Sequence, residues 1–178
     1  MTDETIMVAV KNGDLQQTSF LFERYHKRIF NFLAQLSNDR EVAEDLTQNV
    51  FLRMIRYRNS FRDDSRFTPW IYQIARNVYA DHYQMAKKTH KETVDFAKVS
   101  DSIPDESDQG VNEKEELLYR SMERLSEEQR ELLIMTRFQH MRYEEVAQIM
   151  NTSVSNIKVK VHRAIGKLRE YYFAQAKM

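Results

Sequence analysis

The sequence predicts an all-α protein: two small helical domains joined by a flexible linker, the second ending in a helix-turn-helix. Three observations predict it. The 178 residues include Gly 3 and Pro 2, too few for the tight turns that sheets require. Apolar residues recur at spacings of three and four over most of the chain. One acidic stretch near the middle loses that period, which divides the chain at 1–89, 90–112 and 113–178.

At the N-terminus, a short apolar helix is expected over residues 5–11, closed by Asn12-Gly13, with Asp14 as the cap of the next. In that second helix Leu21, Tyr25, Ile29, Phe32 and Leu36 form one buried stripe. Ser37-Asn38-Asp39 breaks it. A third helix over 40–57 turns Val42, Leu46, Val50 and Met54 inward. Residues 59–67 are polar and aromatic and read as a loop. Thr68-Pro69 then resembles an N-cap followed by proline at the first helical position. The fourth helix continues to about Lys88, with Ile71, Ile74, Val78 and Asp81 on one side.

Residues 90–112 contain Ser-Asp-Ser-Ile-Pro-Asp-Glu-Ser-Asp-Gln-Gly and read as a flexible acidic linker. Beyond it, Ser126-Glu127-Glu128-Gln129 is a capping-box pattern. It opens a helix made apolar by Leu132, Leu133, Met135 and Phe138. A short helix over 143–150, a turn at 151–153 and a longer helix over 154–172 complete the chain. The last helix sets Ile157, Val161, Ile165 and Leu168 on one face.

Composition narrows the function. The formal net charge is zero, but its distribution is uneven. Residues 53–91 hold nine Lys/Arg against three Asp/Glu; 92–116 hold nine acidic and two basic residues; 151–169 hold five basic residues and no acid. Two basic blocks flanking an acidic one suit a nucleic-acid partner. Without cysteine there is no disulfide or thiolate chemistry. No apolar run reaches a membrane span and no signal-peptide pattern opens the chain, so a cytoplasmic protein without membrane insertion is expected. No HExxH spacing, Gly-rich phosphate loop or GxSxG turn is present. No catalytic residue, metal ligand or cofactor is therefore assigned.

Three constellations remain. Residues 143–169 form a helix-turn-helix whose second helix places Ser155, Asn156, Lys158, Lys160 and Arg163 away from the apolar face. That arrangement suits base reading in a major groove. The alternative is a helical hairpin with a solvated basic face. Between Tyr57 and Tyr83, seven aromatics alternate with Arg58, Arg62, Arg66 and Arg76. Rings that stack on bases and cations that track phosphates suit single-stranded nucleic acid. The alternative is core aromatics beside a solvated arginine face. Finally, Asp45, Leu46, Gln48 and Phe51 lie on the third helix. With Leu46 facing inward beside Val50, Asp45, Gln48 and Phe51 are either a protein contact or a core phenylalanine with two solvated polar neighbours.

In this order, the segments AEDLTQNVFLRMIRYRNSFRDDSRFTPWIYQIARNVYADHYQ and LSEEQRELLIMTRFQHMRYEEVAQIMNTSVSNIKVKVHRAIGKLRE resemble regions 2 and 4 of extracytoplasmic-function (ECF) sigma factors. The resemblance implies a protein that catalyses no covalent step. It would bind core RNA polymerase at the clamp and flap, recognise promoter DNA both duplex and single-stranded, and answer to an anti-sigma factor. It implies clamp docking by Asp45, Leu46, Gln48 and Phe51. It implies −10 element binding by Phe61, Arg62, Asp63, Arg66 and Phe67, and by Trp70, Arg76, Asn77 and Asp81 on the fourth helix. It implies −35 element binding by Ser155, Asn156, Lys158, Lys160 and Arg163. Three departures stand out. Gln84 and Met85 occupy positions where the family is basic, with lysines only at Lys87 and Lys88. Val159 replaces a small polar residue. Asn151 replaces a turn glycine, and asparagine tolerates the left-handed conformation.

Overall fold

The computed structural model describes residues 1–92 and 112–177. Among them the regular elements are all helical. The chain divides into two compact units, Met1–Ser100 and Asp101–Met178. The linker predicted over 90–112 lies outside the described residues except at its ends. There, residues 90–92 still belong to a helix and Asn112 caps the next.

The first unit holds α1 (Asp3–Lys11), α2 (Thr18–Ser37), α3 (Arg40–Arg56) and α4 (Phe67–Glu92). Single 3₁₀ turns lie at Leu15–Gln17 and Arg58–Ser60. Helix α1 starts two residues before the expected position because the Thr2 hydroxyl accepts the Thr5 N–H at 3.2 Å. Asp3 and Glu4 in its first turn complement the helix dipole. Ile6, Met7 and Val10 are buried. Gly13 closes the helix at φ 108°, a conformation that favours glycine. Asp14 does not cap α2: it precedes the 3₁₀ turn and accepts from the Gln17 side chain at 3.2 Å.

The stripe predicted on α2 is buried throughout, with Leu33 added to it. Asn38, left-handed at φ 53°, ends α2, and the Asp39 carboxylate caps α3 through the Val42 N–H at 3.1 Å. On α3, Leu46, Val50 and Met54 are buried as expected, while Val42 is half-buried. Ala43, Thr47 and Phe51 widen the inward face, and the Thr47 hydroxyl donates to the Ala43 carbonyl at 2.6 Å. Helix α4 supplies Ile71, Tyr72, Ala75, Val78 and Tyr79 to the same core. Tyr72 meets Phe32 edge-on at 5.3 Å, and the Tyr79 hydroxyl donates to the Leu36 carbonyl at 3.2 Å.

Helix α4 corrects two expectations. It begins at Phe67, so Thr68 is not its cap, and it runs to Glu92 rather than Lys88. The cap comes from another helix: the Phe67 N–H donates to Glu4 Oε1 at 3.1 Å. Thr68 instead bonds the Tyr25 hydroxyl at 2.8 Å. Pro69 still sits within the first turn, where a missing N–H is no loss. Asp81, expected on the side of Val78, is exposed and pairs with Arg53 at 2.8 Å.

The second unit holds α5 (Glu113–Glu123), α6 (Glu127–Leu133), α7 (Tyr143–Ile149) and α8 (Val154–Ala176). The capping box forms: Ser126 Oγ accepts the Gln129 N–H at 3.2 Å and Gln129 Oε1 accepts the Ser126 N–H at 3.3 Å. After Leu133 the backbone widens into a π turn over Ile134–Phe138, with the Gln139 N–H bonded to the Ile134 carbonyl at 2.9 Å. The wider turn shifts the helical register of the residues C-terminal to it. Phe138 is therefore exposed, whereas the uniform period places it among the apolar residues.

The turn between α7 and α8 is a Schellman motif. Asn151 is left-handed at φ 54°, its N–H reaches the Gln148 carbonyl at 3.3 Å, and the Thr152 N–H reaches the Ala147 carbonyl at 3.0 Å. Ser153 Oγ then caps α8 through the Asn156 N–H at 3.1 Å. On α8, Ile157, Val161 and Ala164 are buried, while Ile165 and Leu168 are half-buried. Asn151→Ala should cost this unit about 1 kcal/mol, because alanine in the left-handed region lacks the local compensation asparagine has. Asn151→Gly should not. Urea unfolding of the full chain, monitored at this unit's transition, checks the contrast; equal midpoints for both variants would contradict it.

Candidate nucleic-acid and protein interfaces

The α2–α3 surface carries a groove of about 560 Å³. Phe22, Gln48, Phe51, Leu52 and Ile55 line it, with Thr18, Ser19 and Glu23 at its edge. Phe51 is buried at its floor and meets the Phe22 ring edge-on at 4.9 Å. Phe22 in turn stacks on His26 at 4.7 Å. Phe22 is 43% exposed and Leu52 67% exposed. Two large apolar side chains stand exposed beside this groove, the kind of surface on which protein contacts form. Of the residues expected to dock, Asp45 and Gln48 are exposed, whereas Leu46 and Phe51 are buried. Leu46 does not line the groove. Sequence reasoning misses Phe22, Leu52 and Ile55, since they fall off the periodic stripes of their helices.

The loop before α4 is tied to α1 at both ends. Lys11 Nζ pairs with Asp63 Oδ1 at 2.9 Å. At the far end Glu4 accepts the Phe67 N–H and lies 3.7 Å from Arg66 Nε. The Tyr25 hydroxyl donates to Asp3 Oδ2 at 2.5 Å while meeting Thr68. Burial first, then the bond to Asp3, push this phenol far above its ordinary pKa, so it stays a donor. Arg62 meets Asp64 at 3.2 Å.

The aromatics of this region divide. Phe61 and Phe67 are fully buried. Phe67 packs edge-on against Tyr25 at 4.9 Å, and Phe61 against Trp70 at 5.2 Å. Neither phenylalanine offers a face to a base in this conformation; both serve as the loop's core. Trp70 is only half-buried and is the ring of the three with accessible surface. Arg62, Arg66, Asn77 and Asp81 are exposed and Arg76 is half-buried.

In the second unit, Ser155, Lys158 and Arg163 are exposed on α8. Asn156 is half-buried and its amide donates to Thr152 Oγ1 at 2.7 Å, so one of its donors is already engaged. Lys160 pairs with Glu128 from α6. Val159 is 48% exposed among these polar groups. It gives the helix an apolar contact point where a hydroxyl or amide is the expected type.

Among the described residues, no cluster of histidine or acidic side chains could hold a metal ion. None of the described helices is long and apolar enough to cross a membrane.

Comparison with known proteins assigns the two units. Residues 21–89 match the model of Sigma-70 region 2, and residues 115–168 match Sigma-70, region 4. The RNA polymerase sigma factor CarQ of Myxococcus xanthus is 30% identical over 166 residues, spanning 92% of this chain and 94% of the relative. The ECF RNA polymerase sigma factor SigM of Bacillus subtilis is 30% identical over 152 residues, 85% of this chain and 93% of the relative. Among solved structures, CnrH in complex with the cytosolic domain of CnrY has the same fold. Its TM-score is 0.73 at 17% identity, over 97% of each chain. The sigma factor RpoE of Bartonella quintana, solved with the anti-sigma factor NepR, superimposes at a TM-score of 0.63 and 23% identity, over 86% of this chain and 94% of that one.

Fold and sequence together define a promoter-recognising transcription initiation factor. More narrowly, the chain belongs to the ECF group of the sigma-70 family.

Proposed function

We propose that this sigma factor docks on the clamp of core RNA polymerase through the α2–α3 groove. It then reads the −35 duplex with α8 and holds the opened −10 strand with the loop at 61–67 and the start of α4. The observation that carries the reading lies within the first unit. One small helical body presents both a preformed apolar groove and, on a separate loop, a half-exposed tryptophan among arginines. A duplex-binding regulator needs neither feature.

Each part has a physical role. The groove offers Phe22 and Leu52 as anchors, with Asp45 and Gln48 as polar contacts beside them. Extruding a base from duplex DNA costs about a few kcal/mol. Stacking on Trp70 and phosphate contacts from Arg62 and Arg66 offset that cost by binding alone, with no covalent step. Burial of Phe61 and Phe67 keeps the loop in shape without a ligand. On α8, Ser155, Asn156 and Lys158 lie in the first turns, where a helix entering the major groove reads base edges. The flap and an anti-sigma factor complete the set of partners, and the site of action is the cytoplasm.

Transcription in vitro with core polymerase and a promoter library tests the whole reading. Specific starts that depend on this chain are expected; initiation no different from core polymerase alone would sink it.

The basic residues of α8 should differ in weight. Arg163→Ala should weaken binding to −35 duplexes of every sequence and reduce the slope of log affinity against log salt by about one. Lys160→Ala should reduce the slope by less, because Glu128 already competes with phosphate for that cation. Fluorescence anisotropy at several salt concentrations reads both, and equal slope changes would contradict the role given to Glu128.

A further inference from the structure

The base-capture role rests on a loop whose two ends are both tied to α1, and nothing in the −10 assignment gives α1 a part. Glu4 and Lys11 reach across 63 and 52 residues of sequence to the Phe67 N–H and the Asp63 carboxylate. Arg66 lies between these two ties, and Phe61 and Trp70, whose rings meet edge-on at 5.2 Å, flank them on either side. The two ties are of unequal strength. Glu4 is a carboxylate accepting the first N–H of α4, a charge-assisted bond at a helix start. Its surroundings are partly buried: the side chain is 33% exposed. The Lys11–Asp63 pair has its carboxylate 70% exposed, and solvent screens it.

We propose that Glu4 is a positioning residue for capture of the −10 strand: by capping α4 from α1, it fixes where Trp70 and Arg66 stand, with Lys11 as a weaker second tie. The proposal rests on the −10 reading above. Glu4 does not touch DNA in it. A free carboxylate near phosphates would oppose binding, so removing Glu4 would strengthen DNA binding if the residue acted by charge alone. Positioning predicts the opposite sign.

The test uses the full chain assembled with core polymerase and a fluorescent single strand bearing the −10 sequence. Glu4→Ala should weaken binding of that strand about tenfold, the loss expected for one charge-assisted hydrogen bond that holds a binding element. Glu4→Gln keeps an oxygen for the Phe67 N–H and should return to within about threefold of the parent. Lys11→Ala should cost about twofold. Binding of a −35 duplex by the same proteins should be unchanged. Trp70 is the single tryptophan of the chain, so a second readout needs no DNA: Glu4→Ala should make its fluorescence more accessible to acrylamide, and Glu4→Gln should not.

Unchanged or tighter strand binding by Glu4→Ala would overturn the proposal. So would equal losses for the −10 strand and the −35 duplex, or a Glu4→Gln variant as weak as Glu4→Ala. A parent complex that binds no −10 strand would instead sink the −10 reading. The quenching contrast would then still decide whether Glu4 sets the position of Trp70.

Discussion

Leu52→Asp should lower the affinity of the chain for core RNA polymerase by at least about thirtyfold, the equivalent of one interface hot spot. Leu52 projects from α3 at 67% exposure, so it contributes little to the core and its loss should leave the fold intact. It stands at the rim of the groove floored by Phe51 and walled by Phe22 and Ile55. A partner side chain entering that groove would be desolvated against Leu52. An aspartate there would either keep its water and hold the partner off, or lose it without a counter-charge. Glu23 at the groove edge adds like charge. Leu52→Ala removes only the apolar contact and should fall between the two. Titration of labelled protein with core polymerase measures the effect, and circular dichroism verifies the fold. Parent-like affinity of a folded Leu52→Asp variant would remove the groove from the docking surface.

Leu52 also shows where sequence reading stops. On α2, the stripe Leu21, Tyr25, Ile29, Phe32 and Leu36 is legible because one buried face imposes one period. The capping box at Ser126 and the turn at Asn151 are legible because the residues that satisfy a helix end lie within a few positions of it. An apolar residue off the stripe carries no such mark. Leu52 and Phe22 become a groove only when α2 and α3 pack, and neither helix alone encodes that pairing.

Other misses have the same origin. The true start of α4 is hidden because its cap, Glu4, is 63 residues away, and Thr68-Pro69 looks sufficient by itself. Periodicity groups Asp81 with Ile71, Ile74 and Val78 on one side of α4, but it does not show that Asp81 is exposed and paired with Arg53 of α3. The π turn after Leu133 breaks a period that a uniform helix would have kept, and it turns Phe138 outward. Phe61 and Phe67 are legible as aromatic but not as buried. A ring that fills a core and a ring that stacks on a base are the same residue type, and only packing separates them.

That separation sharpens the expectation for Trp70. Trp70→Ala should reduce promoter opening by about tenfold, the value of one base–aromatic stack toward the lower end of its usual range. Phe61→Ala would instead open a cavity in the loop's core and unfold it, so it cannot report on stacking. Trp70 touches Phe61 at 5.2 Å and Phe67 at 6.1 Å. Part of any alanine effect is therefore packing, and Trp70→Phe separates the two contributions. Phenylalanine keeps a ring against Phe61 and a smaller π face toward solvent, so it should restore the stability lost in Trp70→Ala and only part of the opening. Permanganate reactivity of −10 thymines in the assembled complex measures opening, and thermal unfolding measures stability. If opening tracked stability across the three proteins, Trp70 would be one more core ring. If Trp70→Phe regains the parent's stability yet opens less, the accessible part of the half-buried indole itself holds the unstacked strand.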